Sequence, residues 1–420
     1  MPQKICVVGL GYIGLPTAAI LADNGYDVVG VDINKEVIDN LNKGKIIIEE
    51  PNLNEIVKDV VSKKKLIGKY SPGKADIFII CVPTPIREDK KADMTYVIDA
   101  TKRILPHVRK NNIVILESTS PVGTTENIIK PILEKTNLKV GQEIYLGYCP
   151  ERVIPGRIIE ELSNNNRIIG GINEISALKI KEIYESFVNG QLYTTDTNTA
   201  EMVKLTENTF RDVNIALANE LLKVCDDLGI NVWNLIKYCN KHPRVNILDP
   251  GPGVGGHCLA VDPWFIVEAS ENLANIIKLS RQTNDSMPQY VFDKVEKLTK
   301  DLEGSKKISR LGMTYKKDID DMRESPIVHL VDILKENNYQ VSIYDPYVSE
   351  YEDLEKDLLK CVKDSDLLVL GVDHCAFKNI QYEEVYKAMK GKVILDTRKF
   401  LDEDKMKEIG FIYKLLGYKK

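Results

Sequence analysis

An apolar run from Lys4 to Gly9 (KICVVG) stops at Gly9-Leu10-Gly11-Tyr12-Ile13-Gly14, and an alanine- and leucine-rich helical pattern follows from Leu15 to Asn24. Strand, glycine turn and helix in that order begin a βαβ unit. Further apolar runs at Asp27 to Asp32, Asp76 to Val82 and Ile113 to Glu117 alternate with helical segments. Strands that are apolar along their whole length belong in a parallel sheet covered on both faces. After a polar link around Lys300 to Lys307 the rhythm returns, with Ile308 to Gly312, a helix from Ser325 to Asn337, then Gln340 to Asp345, Asp366 to Val372 and Lys392 to Asp396. At 420 residues the chain is too long for one core. The reading is an α/β protein with two Rossmann-like doubly wound domains joined by a long central helix, with bounds at 1–196, 197–300 and 301–420.

That helix is the stretch from Thr197 to Leu228, which no Gly or Pro interrupts. Val203, Phe210, Leu217, Leu221 and Val224 recur on one face, and Cys225 extends it. At about 100° per residue, Glu201, Lys204, Asn208 and Arg211 share an arc well away from that face. On periodicity alone the polar arc is the solvated side of an amphipathic helix.

The glycine turn carries more than topology. Asp32 closes the second strand 18 residues beyond Gly14, and this spacing with the strand–turn–helix context is the requirement for dinucleotide binding. Gly9 permits the turn, Gly11 admits a pyrophosphate and Gly14 lets helix pack on strand. Tyr12 and Ile13 complete the turn, and Asp32 can accept both ribose hydroxyls. Its carboxylate repels a 2′-phosphate, so NAD is expected rather than NADP.

With 57 basic and 62 acidic side chains the net charge is −5 without a long run of one sign, which argues against nucleic acid as a partner. The eight cysteines are scattered, with no CxxC pair or His/Cys cluster at metal spacing, so neither a metal site nor a disulfide framework is expected. No charged-then-apolar leader precedes Lys4 and no apolar run reaches the ~18 residues of a membrane span. The expectation is a reduced, cytoplasmic protein with no membrane association.

One cysteine has a distinctive setting. Cys258 ends Gly255-Gly256-His257-Cys258, follows a second glycine-rich run at Gly251 to Gly253, and precedes Asp262 by four residues. Such a loop suits a nucleophile approached by a ligand better than a packed core thiol. A hydride-accepting cofactor together with a thiol able to hold an acyl group suggests oxidation of an alcohol past the aldehyde. Lys204 is the candidate to lower the thiol pKa, and Glu151 or Asp262 the candidate base. His257 is not assigned as a paired base, because neighbouring side chains in an extended loop diverge. Thr84 and Thr119 follow buried strands, where turn and cap chemistry alone would account for them, and Glu151 beside Pro150 reads by itself as a surface charge.

Taken in order, the fingerprint, ESTSPVGTT (Glu117 to Thr125), PERVIPG (Pro150 to Gly156), EMVKLTEN (Glu201 to Asn208), GVGGHC (Gly253 to Cys258) and GMTYKKDIDDMRESP (Gly312 to Pro326) resemble the UDP-glucose/GDP-mannose dehydrogenase family across essentially all of the chain. The resemblance implies that Cys258 is the catalytic thiol, that Lys204 and Asn208 stabilise the oxyanion, that Thr119 and Asp262 position water and that Glu151 serves hydrolysis of the acyl intermediate. It also implies that Thr84, Thr119 and Arg323 approach the cofactor, and that Glu151, Arg152, Arg211, His242, Arg244, Gly255, Tyr315, Lys316 and Arg398 join Lys204 and Asn208 around the substrate. The resemblance further implies two NAD per turnover, no metal and a homodimer formed through the helical region, and leaves association beyond the dimer open. Arg211 with its surroundings, and Lys241 to Asn246, resemble the branch acting on UDP-linked N-acetylhexosamines. N-acetylmannosamine is the first expectation within it and N-acetylglucosamine the second. Val261 stands where the UDP-glucose branch carries a lysine.

Overall fold

The computed structural model describes residues 3–48 and 50–418. The chain divides into two compact units, one running to Glu207 and including Glu268–Glu271, the other made of Asn208–Val267 and everything from Asn272 onward. The division falls inside the long helix, between its third and fourth turns.

The first unit is built on an eight-stranded sheet in the order β3-β2-β1-β4-β5-β6-β7-β8. Its strands are β1 (Lys4–Val8), β2 (Asp27–Val31), β3 (Leu66–Lys69), β4 (Ile77–Ile80), β5 (Ile113–Leu116), β6 (Tyr145–Tyr148), β7 (Arg167–Gly171) and β8 (Leu192–Asp196). β4 and β5 read IFII and IVIL and are buried at every position, as a strand covered on both faces must be. All pairings are parallel except β6 with β7. Apolar runs do not mark β3 and β6 to β8, because glycine or polar residues interrupt each of them (LIGK, YLGY, RIIGG and LYTTD).

The second unit carries a five-stranded parallel sheet in the order β10-β9-β11-β12-β13. Its strands are β9 (Lys307–Leu311), β10 (Gln340–Tyr344), β11 (Leu367–Leu370), β12 (Val393–Asp396) and β13 (Ile412–Leu415). Its opening repeats that of the first unit at atomic detail. In the first, Asp32 accepts the amides of Leu10 and Asn34, each at 2.8 Å. In the second, Asp345 accepts those of Met313 and Tyr347, at 2.7 and 2.9 Å. In both, the carboxylate at the end of the second strand clips the turn that follows the first.

The long helix, Thr197–Leu228, contradicts the simple amphipathic reading. Phe210, Leu217, Val224 and Leu228 are 71, 51, 46 and 65 % exposed. Glu201, Asp212, Asn219 and Asp226 lie on the buried side. Buried polar groups are tolerated when they are hydrogen-bonded, and these are. Glu201 accepts from Gly123 N, Thr125 N and Thr125 Oγ1 at 2.6 to 2.9 Å, and Asp226 from Tyr290 Oη and Lys294 Nζ at 2.5 and 2.6 Å.

Candidate active site

In the first unit the turn between β1 and the helix Gly14–Asp23 is open at Gly11. The helix has no side-chain cap at its start, nothing lies within 4 Å of a side chain built at Gly11, and Tyr12 beside it is 45 % exposed. A Cβ at Gly14 would overlap the Gly9 carbonyl and meet Cys81 Cβ at 3.0 Å, so only glycine lets this helix sit so near the strand. Uncapped amides at a helix start attract a pyrophosphate, and Asp32 is held at the end of β2 with lone pairs left for a ribose. These residues fit NAD.

The loops after β4, β5 and β6 supply the next layer. Thr84 Oγ1 donates to the Thr119 carbonyl at 2.5 Å, tying the first two loops together. Glu151 is buried and accepts from Arg167 Nη2 at 3.0 Å and from the Arg152 amide at 2.6 Å. Arg152 in turn donates through Nε to Glu207 at 2.9 Å. Arg167 went unnoticed in the sequence because it stands inside β7, yet it is 3 % exposed and stacks over Tyr184 and Phe187 with centroids at 4.9 and 5.6 Å. Beneath lies Glu117, accepting from Tyr184 Oη, Cys81 Sγ and Thr17 Oγ1 at 2.5, 3.2 and 3.3 Å. Burial raises the Glu117 carboxyl even with Arg167 nearby.

Burial also decides which thiols can react. It raises Cys6 to about 11, Cys149 to about 12 and Cys81 well above the usual thiol range, and it raises Cys225 and Cys361 too. Cys258 and Cys375 are the exposed thiols. A hydrogen bond with Asp318 raises Cys375, whereas a nucleophile needs its thiolate.

In the second unit Cys258 stands at the start of the helix Asp262–Ala269, its carbonyl accepting the Asp262 amide at 2.8 Å. Asp262 is 3 % exposed, and its Oδ2 accepts from Asn208 Nδ2 at 2.6 Å. Thus the Asn208 side chain meets Asp262, whose backbone amide is bonded to the Cys258 carbonyl. Gly256 has φ +88° and donates its amide to the Arg323 carbonyl at 3.1 Å, and the Tyr315 ring occupies the space a Cβ would fill, at 2.7 to 3.0 Å. Gly255 packs on Tyr315 Cβ, and the Arg398 guanidinium covers Gly251. Arg398 also donates to Asp373 at 3.3 Å. Arg323 is clamped bidentately by Asp321 at 2.7 to 3.1 Å. His257 is lowered below the ordinary imidazole value, first by burial and then by the Arg323 cation.

Three expected substrate residues stand outside this cluster. Arg211, His242 and Arg244 are exposed, with His242 Nδ1 accepting the Arg244 amide at 3.4 Å in the turn after the helix Val232–Cys239. Lys316 is exposed too, its carbonyl accepting from Thr314 Oγ1 at 2.8 Å. Lys204 is half-buried, one helical turn from Asn208. Among the described residues no group of three or more His, Cys, Asp or Glu side chains is arranged to hold a metal ion, and no helix is long and apolar enough to cross a membrane.

Known proteins resemble the chain along its full length. Residues 3–188 match the NAD binding domain of the UDP-glucose/GDP-mannose dehydrogenase family, 198–286 its central domain and 310–403 its UDP binding domain. A protein of Methanococcus maripaludis named UDP-N-acetyl-D-mannosamine dehydrogenase is 51 % identical over 423 residues, spanning 99 % of this chain and 97 % of the relative. The solved UDP-D-ManNAc dehydrogenase of Pyrococcus horikoshii aligns with a TM-score of 0.93 at 40 % identity over 99 % of both chains. The UDP-N-acetyl-mannosamine dehydrogenase of Staphylococcus aureus aligns with a TM-score of 0.90 at 46 % identity, again over 99 % of both. From its fingerprint to its nucleotide-sugar half, the chain belongs to the UDP-glucose/GDP-mannose dehydrogenase family of NAD-dependent oxidoreductases.

Proposed function

We propose that the protein oxidises the C6 alcohol of UDP-N-acetyl-D-mannosamine to the corresponding uronate, in two two-electron steps that pass through a covalent adduct on Cys258. The observation that carries the chemistry is the exposed Cys258 thiol on a glycine loop, its carbonyl bonded to the amide of Asp262, whose carboxylate is bonded to Asn208. The sugar assignment rests on full-length identity to proteins of that name.

The turn Gly9–Gly14 with Asp32 would hold NAD, with Thr84, Thr119 and Arg323 as its further expected contacts, and NAD when bound would supply the acceptor for one hydride from C6 in each of the two steps, the alcohol proton passing to water. Cys258 adds as thiolate to the intermediate aldehyde, forming a C–S bond and a thiohemiacetal whose oxidation leaves a thioester. Lys204 and Asn208 hold the oxyanion at each stage, and the Lys204 cation favours the thiolate. Asp262 and Thr119 orient water, and Glu151 takes its proton as the C–S bond breaks to release the carboxylate. By the family resemblance, Arg152, Gly255, Tyr315, Lys316 and Arg398 are assigned to the nucleotide sugar. The exposed Arg211, His242 and Arg244 suit a homodimer formed through the helical region, in which Arg244 reaches the partner's substrate. The protein works in the cytoplasm and needs no metal.

The test is NADH formed per sugar consumed, with UDP-N-acetylmannosamine, UDP-N-acetylglucosamine and UDP-glucose in separate reactions. Two NADH from the first, with little from the others, is expected. One NADH per sugar would remove Cys258 from its role, and equal turnover of the glucosamine epimer would overturn the sugar assignment.

A further inference from the structure

The loop that carries Cys258 contains four glycines between Gly251 and Gly256, and glycine gives backbone its greatest freedom. A thiol that must meet a carbonyl carbon within bonding reach cannot be left so free. The structure ties this loop to the long helix at its entry and to Arg281 of the helix Asn275–Asp285 at its exit. At its entry, the Gly251 amide donates to Asn219 Oδ1 at 2.9 Å. At its exit, the carbonyl of Leu259, the residue after Cys258, accepts from Arg281 Nη1 at 3.3 Å.

These two ties are joined behind the loop. Arg281 is 1 % exposed and its Nη1 also donates to Asp212 Oδ1 at 2.5 Å, while its Nη2 is paired with Asp285. Asn284, fully buried, donates to Asp212 Oδ1 at 2.8 Å and to the Asp212 carbonyl at 3.1 Å, and its Oδ1 accepts from Asn219 at 2.9 Å. The Asn284 carbonyl lies 3.3 Å from the position of a Cβ on Gly253. Asp212 is one turn beyond Asn208, which binds Asp262, and Asn219 is two turns further along the same buried face. One rigid helix therefore holds Asn208, which touches Asp262, and the two residues through which the loop is anchored.

We propose that Asn219, Asn284, Asp212 and Arg281 are positioning residues for the reaction, fixing the Cys258 loop against the long helix so that the thiol is held in register with Asn208 and Asp262. All four are at most 1 % exposed, so they act from behind the site. The inference rests on Cys258 being the nucleophile, but its anchoring step can be read without turnover, because exposed Cys375 is an internal reference for alkylation.

The experiment compares wild type with Asn219→Ala and Asn219→Ser, using iodoacetamide labelling quantified at Cys258 and Cys375 by peptide mass spectrometry, kinetics and melting temperature. Asn219→Ala is expected to change the Cys258-to-Cys375 labelling ratio at least about fivefold and lower kcat about tenfold or more, with KM for NAD unchanged. Asn219→Ser, which keeps an acceptor for Gly251, should recover part of both. A lower melting temperature with labelling ratio and kcat within about twofold of wild type would reduce the network to a structural tie and overturn the proposal. Should Asn219→Ala fail to fold, hydrogen exchange of wild type decides: a protected Gly251 amide supports the anchor, and free exchange there overturns it. Wild type that makes no NADH from any nucleotide sugar would refute the enzyme reading alone, leaving the labelling ratio to judge the loop.

Discussion

Asn208 faces a carboxylate that needs it and an oxyanion it is proposed to hold. Its Nδ2 donates to Asp262 at 2.6 Å, so truncation leaves a buried carboxylate short of a donor as well as removing one from the reaction. Asn208→Ala should lower kcat by about 10²-fold or more with little effect on KM for NAD, the size found for one lost oxyanion donor. Steady-state kinetics with each substrate varied in turn would check this, and a loss confined to KM would contradict it. Glu201 shows what the same burial does to a group with no role in the chemistry. Burial, opposed by hydrogen bonds from Thr125 and Gly123, raises its carboxyl from 4.5 to about 7. A raised acid favours the fold while protonated, so this contribution is complete below pH 4.5 and is lost as pH rises through about 7. The shift corresponds to something on the order of 3 kcal/mol. Glu201→Gln does not titrate, so the melting temperature of wild type minus that of the variant should fall between about pH 4.5 and pH 7. A difference that grows with pH would overturn the assignment.

The long helix is the element on which most of the site depends, and its two sides do different work. Its buried side carries carboxylates and carboxamides, each engaged by a partner from another segment. Its outer side leaves Phe210, Leu217, Val224 and Leu228 in contact with solvent, and a row of large apolar side chains so displayed usually marks an association surface. The joint change Phe210→Glu with Leu217→Glu should convert the proposed dimer to a monomer in light scattering while costing the folded chain little, since exposed substitutions usually fall within about 0.5 kcal/mol each. A dimer that persists would place the interface elsewhere. The turn between β1 and its helix is the opposite case, an element whose form follows from local chemistry, because Gly14 is required by backbone contact alone.

At the scale of the molecule, the protein uses one nucleotide-binding design twice. Asp32 and Asp345 occupy equivalent places and accept equivalent amides, yet only Asp32 is half-buried with access to a ligand. Asp345 is 4 % exposed and also meets His374 Nε2 at 3.1 Å, which commits it to holding its own unit together. The prediction follows that Asp32→Ser narrows the preference for NAD over NADP about tenfold or more by removing the repulsion of a 2′-phosphate, as measured by the ratio of kcat/KM for the two cofactors. An unchanged ratio would mean that another group sets the preference.

Much of this was legible in residue order. Continuous apolar strands, a glycine turn and an acidic residue at fixed spacing are local signals, and they announced both doubly wound sheets and the cofactor turn. The setting of Cys258 among glycines was equally local, as was the polar arc that includes Glu201 and Asn208. What periodicity could not decide was which side of the long helix faces inward. That depends on whether a partner waits for each polar group, and the partners Thr125, Asp262, Arg281 and Tyr290 lie 54 to 76 residues away in the chain. Asp212 and Asn219 continue the arc that Asn208 belongs to, but nothing near them in sequence announces Arg281 or Gly251. Glu151 read as a surface charge until Arg167, 16 residues further on in β7, proved to share its burial. Local order determined the elements and the reactive residue types, and tertiary structure decided which polar groups are paired away from water, because only the assembled fold can supply a buried charge with its counter-charge.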